Sequence, residues 1–282
     1  MRRHVDRSGH RSRRFAEGRV TAARALGCLA AFLLTASSLV AQESAGRFTA
    51  SRTRDGQPNL QGVWQVLNTA AWDILDHSEQ RFPGFPARFS VPAGLGVVEG
   101  NELPYQPWAK ARREENFRNR QDADPEARCY MPGVPRITYM PYPFQILQYA
   151  DRVVILYEHL HVTREIFTDG SPHSTLVTEF WMGDSRGRWE GDSLVVDVTK
   201  FTGDTWFDRA GNFHSNALHV VERYTPTGPD HLLYEATIDD PTVFTRPWKM
   251  SMPLYRRKDA GAQILENECY ALARDPARAE AK

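Results

Sequence analysis

The sequence predicts an all-β protein: an antiparallel barrel or sandwich with a Pro-rich loop and helix insertion. From Pro135 onward, short segments rich in β-branched and aromatic residues follow one another closely. Turn-forming clusters separate them, most clearly Glu190-Gly191-Asp192 and Pro226 to Asp230. No run of amphipathic helical period interrupts the series. A meander this long closes on itself or folds double to hide its strand edges.

Taken in order, the chain begins with eight arginines before position 25 against only Asp6 and Glu17, followed by the apolar run ALGCLAAFLLTASSLVA. That pattern reads as a signal peptide over 1–41, and therefore as a periplasmic or secreted protein. The run is too diluted by Ala, Ser, Thr and Gly for a spanning helix, so no membrane association is expected after cleavage. Ser12-Arg13-Arg14-Phe15 resembles a twin-arginine signal with its phenylalanine one place early, which leaves the export route open. The full chain has 35 basic and 35 acidic residues, so without the leader it is acidic by about six charges. With no basic cluster to displace counterions, nucleic acid is an unsuitable partner. Cys28 leaves with the leader. Cys129 and Cys269 remain, either as a disulfide or as two buried thiols.

Residues 42–59 read as a flexible mature N-terminus and 60–272 as one β domain, with a polar tail at 273–282. Val63 and Trp64 anchor the first strand. Segment 69–145 has scattered Pro, Gly and aromatic residues without a sustained period and reads as a covering layer of loops. Pro107 opens a helix through WAKARREENFRNRQ, whose charged composition lets it bury little. Hairpins follow, then a strand in FTRPWKMSMPLYRR and a last one in QILENECYAL.

The chemistry concentrates in two places. If Val153 to Phe167 is one strand, its odd face carries Tyr157, His159, His161 and Glu165 together. Two imidazoles and a carboxylate suit a divalent metal (Fe, Mn, Ni, Cu or Zn), with His214 as a further ligand. The even face is the more apolar, so a metal site, a metal-free pocket face and a plain surface face stand side by side as readings. The second place is the loop 201–219. There Asp204, Asp208, His214 and His219 include groups able to titrate near neutrality, while Asp208 and Arg209 equally read as an ordinary turn with a surface ion pair. His219, Tyr157 and His214 are the expected catalytic residues, and Tyr139, Tyr142, Trp206, Arg223 and Trp248 the expected substrate-binding ones. No P-loop, dinucleotide fingerprint or nucleophile elbow occurs, so no nucleotide cofactor is expected.

Resemblances add to this. Gly62-Val63-Trp64 is similar to the Gly-x-Trp that opens the lipocalin barrel, which implies a plugging Trp with Arg256 or Arg257 lying over it. His159-x-His161 with Glu165 and Gly170 resembles the first cupin metal motif, and Gly203 to His214 resembles the second, although Arg209 replaces its Pro and Leu218 its Asn. The mature chain also resembles a group of secreted bacterial proteins that carry WMGDS, GRWEGD, LVVD, HVVERY, TIDDP and TRPW blocks; no activity follows from that kinship. Together these imply a secreted β-barrel enzyme acting on a small organic substrate, with or without a metal. The alternatives are a lipocalin-like small-molecule carrier and a structural envelope protein.

Overall fold

The computed structural model describes residues 48–80, 91–267 and 269. The expected leader and polar tail lie outside these residues. Nine strands close a barrel in sequence order: β1 Gly62–Gln65, β2 Phe144–Gln148, β3 Arg152–Tyr157, β4 Thr163–Phe167, β5 Asp184–Glu190, β6 Ser193–Thr199, β7 His219–Gly228, β8 His231–Asp239 and β9 Trp248–Arg256. Every neighbouring pair is antiparallel except β4 and β5, which meet in parallel at Phe167 and Arg186. Strand directions around a closed ring must return to their starting sense, so an odd number of strands requires a parallel neighbour. The connection 168–183 supplies it by running back along the barrel, as parallel neighbours demand.

Both expected hairpins form. Glu190 pairs with Ser193 across Gly191-Asp192, and β7 turns into β8 at Pro229-Asp230. The expected helix is α1, Pro107–Ala123, with proline in its first turn. It buries only Ala109 and Asn116. Asn116 donates to the Gly211 carbonyl at 3.2 Å, and a Cβ at Gly211 would stand 2.7 Å from the Phe117 nitrogen. The helix thus lies directly on the 201–218 connection. Among the described residues the expected last strand does not form: beyond β9 they run without a strand, apart from a single bridge between Asn267 and His159, and the remainder of QILENECYAL, Cys269 apart, lies outside the described residues.

Closure rests on the contact between β1 and β9. Trp64 pairs with Arg256 in register and is buried, and the Arg256 guanidinium lies 4.3 Å above its ring. The same guanidinium donates to the Gln61 carbonyl at 2.7 Å, and the indole N–H to the Leu60 carbonyl at 2.9 Å. Gly62 (φ +141°) makes room, because a Cβ there would fall 2.0 Å from Arg256 Nη1. The barrel interior is filled by Phe144, Tyr157, Tyr224, Tyr234, Met250 and Met252 around one ion pair. Arg164 of β4 reaches past β5 and β6 to Glu222 of β7, and both are buried. Ser185 accepts from the guanidinium at 3.0 and 3.1 Å, and the hydroxyls of Tyr234 and Tyr224 donate to the carboxylate at 2.9 and 3.1 Å.

Two outcomes follow. Gly62→Ala, which must displace Arg256 from Trp64 and strain the backbone, should cost about 1–3 kcal/mol in denaturant unfolding and alter the near-UV signal of Trp64; an unchanged midpoint would contradict the closure described. Glu222→Ala leaves a buried guanidinium uncompensated and should cost about 3–5 kcal/mol by the same measurement, whereas a loss below about 1 kcal/mol, the range of exposed pairs, would show that the pair is solvated.

Candidate functional site

The expected strand Val153 to Phe167 is two strands. The chain reverses at 158–162, where Leu160 and His161 take φ of +56° and +53°. The reversal exchanges the faces: β3 buries its odd residues and β4 its even ones. His159, His161 and Glu165 are therefore not brought together. His159 is buried, His161 is exposed, and Glu165 lies outside, 3.5 Å from Arg152. Among the described residues, no group of three or more His, Cys, Asp or Glu is placed to hold a metal ion. The set expected from the cupin likeness does not fit one.

Several other expected site residues have structural partners instead. His214 is buried 5.3 Å from the Phe207 ring; its Nδ1–H donates to the Ser215 carbonyl at 2.8 Å and Nε2 accepts from the Thr205 hydroxyl at 2.6 Å. Burial holds its pKa below the usual histidine range. His219 belongs to the outer face of β7, where its Nε2 meets Asp197 at 2.9 Å, and Arg223 on the same face pairs with Glu190. Asp197 also meets His173 at 2.8 Å. Tyr139 is buried with its hydroxyl on the Phe207 carbonyl, while Trp206 and Trp248 are core residues. Tyr157 faces the barrel interior, and Tyr142 stacks on His159 at 4.9 Å.

Strand direction places the connections 66–143, 158–162, 200–218 and 240–247 on one rim of the barrel and the short hairpins on the other. The long connections trap a layer of charged side chains between them. Its first part is a carboxylate pair. Asp208 is fully buried; Oδ2 accepts from the Ile74 N–H at 2.9 Å and from Asn212 Nδ2 at 2.6 Å, and Oδ1 accepts from the Asn212 N–H at 3.1 Å. Asp73 lies beside it, with Oδ1 3.4 Å from the same Asn212 Nδ2 and Oδ2 3.6 Å from Arg113 of α1. The Tyr105 hydroxyl donates to Asn212 Oδ1 at 2.9 Å. Burial, and then the charge of Asp73, pushes Asp208 up to about 7; burial also raises Asp73. Asp73 and Arg113 are the solvent side of this pair, their side chains 11% and 27% exposed.

The layer continues through Arg136, which is buried and grips Asp124 with two bonds of 2.7 and 2.8 Å. Arg209 binds Glu126 at 3.0 Å and lies 4.3 Å over the Trp72 ring. The turn read at Asp208 and Arg209 exists, but both residues point into the layer rather than forming a surface pair with each other. Burial works to raise Glu126, yet Arg209 and Arg136 hold it below the usual carboxylate range. Asp73, Asp124, Glu126 and Arg136 were not singled out by sequence, because they stand in irregular connections where no periodicity assigns a face. No family model matches the chain, and no curated protein is significantly similar to it.

The raised pKa of Asp208 sets a sign. An unfolded aspartate releases its proton near pH 4 and the folded one near 7, so the folded state binds more protons in between. The stability this group contributes is full below pH 4 and lost as pH rises to 7. The lowered pKa values of His159 and His214 add stability as pH rises through the same range, so the test is the difference: in urea unfolding at steps from pH 4 to 8, the stability of the wild type relative to Asp208→Asn should fall as pH rises. Parallel profiles would contradict it.

Proposed function

We propose that the protein is an exported β-barrel enzyme that acts on a small polar organic molecule by general acid–base chemistry at the loop-covered rim. The observation that carries this reading is the Asp73–Asp208 pair: two carboxylates on one Asn212 amide group, one fully buried and one with its side chain 11% exposed beside Arg113. Buried carboxylates that share one amide group do not both ionise readily, so the pair retains a proton near neutral pH. Asp73 is the group positioned to meet a substrate. Asp208 is a positioning residue that tunes it from behind, and Arg113 supplies a cation to orient a polar or anionic group.

Export is supported by the basic and apolar leader and by the disulfide between Cys129 and Cys269, whose Cα atoms are 5.6 Å apart. A periplasmic or secreted location accords with the likeness to the secreted bacterial group. A lipocalin-like carrier is the second reading, favoured by Trp64 under Arg256 and by a groove of about 280 Å³ lined by Phe48, Trp64, Pro226, Leu232 and Arg256. The side chains filling the barrel leave the carrier that outer groove rather than the lumen. Screening the purified chain against small hydroxy acids, polyols and carbonyl compounds separates the two. The enzyme reading expects turnover that falls about 10²–10⁴-fold in Asp73→Asn without loss of fold. Binding without product, abolished by substitutions at Leu232 and not at Asp73, would replace it with the carrier.

A further inference from the structure

A second buried pair lies away from Asp73 and Asp208. His159 has a side chain only 4% exposed, and among the described residues neither ring nitrogen has a hydrogen-bond partner. Its Nε2 stands 3.5 Å from Glu126 Oε1, beyond useful hydrogen-bond reach, with the Tyr142 ring stacked on the imidazole. Burial lowers the His159 pKa to about 4, so the ring is neutral and its lone pair is available. A buried imidazole without partners is costly, and proteins retain such groups where they have a use.

The two residues come from different connections, and a strap of chain ties those connections together. Beyond β9, Arg257 donates its N–H to the Val63 carbonyl at 2.8 Å and the chain turns at Asp259 to Ala262. The Leu265 N–H then bonds the Glu158 carboxylate at 3.0 Å, and Asn267 pairs in parallel with His159. Cys269 forms the disulfide with Cys129. Cys129 caps the 3-10 turn Glu126–Arg128, its N–H donating to the Glu126 carbonyl at 3.0 Å. The far end of the strap therefore meets both connections: Asn267 lies on the backbone of His159, and Cys269, two residues on, is covalently joined to the turn that bears Glu126.

We infer that the strap 257–267, fastened through Cys269, is a cover over the His159–Glu126 pair, and that opening Cys129–Cys269 with a dithiol uncovers the pair as a reactive site for small hydrogen-bonding molecules. In the opening step a thiolate of the dithiol attacks one cystine sulfur and the other leaves as a thiolate. The second thiol of the reductant then displaces the mixed disulfide. Two electrons and two protons pass to the protein, giving Cys129 and Cys269 thiols, and the dithiol becomes a disulfide. The far end of the strap is then held by the Leu265–Glu158 hydrogen bond and the Asn267–His159 bridge, with Arg257 on Val63 at its near end, few enough ties for local opening without global unfolding.

Diethyl pyrocarbonate, which acylates neutral accessible imidazoles, reports the opening through peptide mapping of the full chain at pH 7. In the oxidised protein His231, which is exposed, should react, while His159 and buried His214 should not. After dithiol treatment, and in Cys269→Ser, His159 should react at least ten times faster while His214 stays protected. Protection of His159 after the bond is opened, or its full reactivity in the oxidised protein, would overturn the proposal. Acylation of His214 together with His159 would also overturn it, since the bond would then hold the whole fold and not a separable cover. Should Cys269→Ser fail to fold, the dithiol-treated wild type gives the same readout.

Discussion

The ion pair between Arg164 and Glu222 governs what the rest of the barrel can be. It crosses the interior from β4 to β7 and is satisfied by Ser185, Tyr224 and Tyr234, so its charges have the partners that burial demands. With that network at the centre and Phe144, Met250 and Met252 around it, the interior is a packed core with a polar heart. The groups with the most perturbed carboxylate chemistry accordingly stand not in the lumen but at the rim. There the long connections have enough backbone donors and side chains to hold carboxylates out of water.

The odd strand count contributes to the same arrangement. Closing nine strands requires the parallel step from β4 to β5 and therefore the long return 168–183, which is fastened by His173 between Asp184 and Asp197. On the covered rim, α1 packs on Gly211 and thereby fixes the short stretch from Asp208 to Asn212 that organises the carboxylate pair. Asp208 serves two ends at once: it ties the Ile74 backbone to the 201–218 connection, and it forces a shared proton on its neighbour. A group that knits the cover to the barrel and titrates near neutrality makes cover stability and site protonation a single linked property.

Much of the fold was legible because periodicity and turn chemistry agreed. The β5–β6 and β7–β8 hairpins stand on Gly191-Asp192 and Pro229-Asp230, and α1 on Pro107, all residues whose backbone preferences announce their role. The reversal at 158–162 carries no such sign. Leu160 and His161 adopt left-handed backbone with no Gly, Asn, Asp or Pro between Glu158 and Val162, so the sequence reads as one continuous strand. One unannounced turn flips the face of every residue after it, which moves Glu165 outward and Arg164 inward. The site suffered most. Its expected metal ligands clustered mostly along that false strand, and of the observed carboxylates only Asp208 was singled out, in the 201–219 loop; Asp73 lies far away in the chain and meets it only through tertiary packing. The Trp64–Arg256 contact was foreseeable because it depends on a local Gly-x-Trp and on the last strand alone.

The central claim is that Asp73 and Asp208 form a buried pair that keeps a proton at neutral pH. Carbon-13 NMR of the chain labelled at aspartate carboxyls tests it directly, because each carboxyl reports its own protonation across a titration. The expected result is one resonance with a midpoint near pH 7 that disappears in Asp208→Asn, accompanied by a shift in the resonance of Asp73. A titration in which every aspartate is ionised by pH 5 would contradict the account.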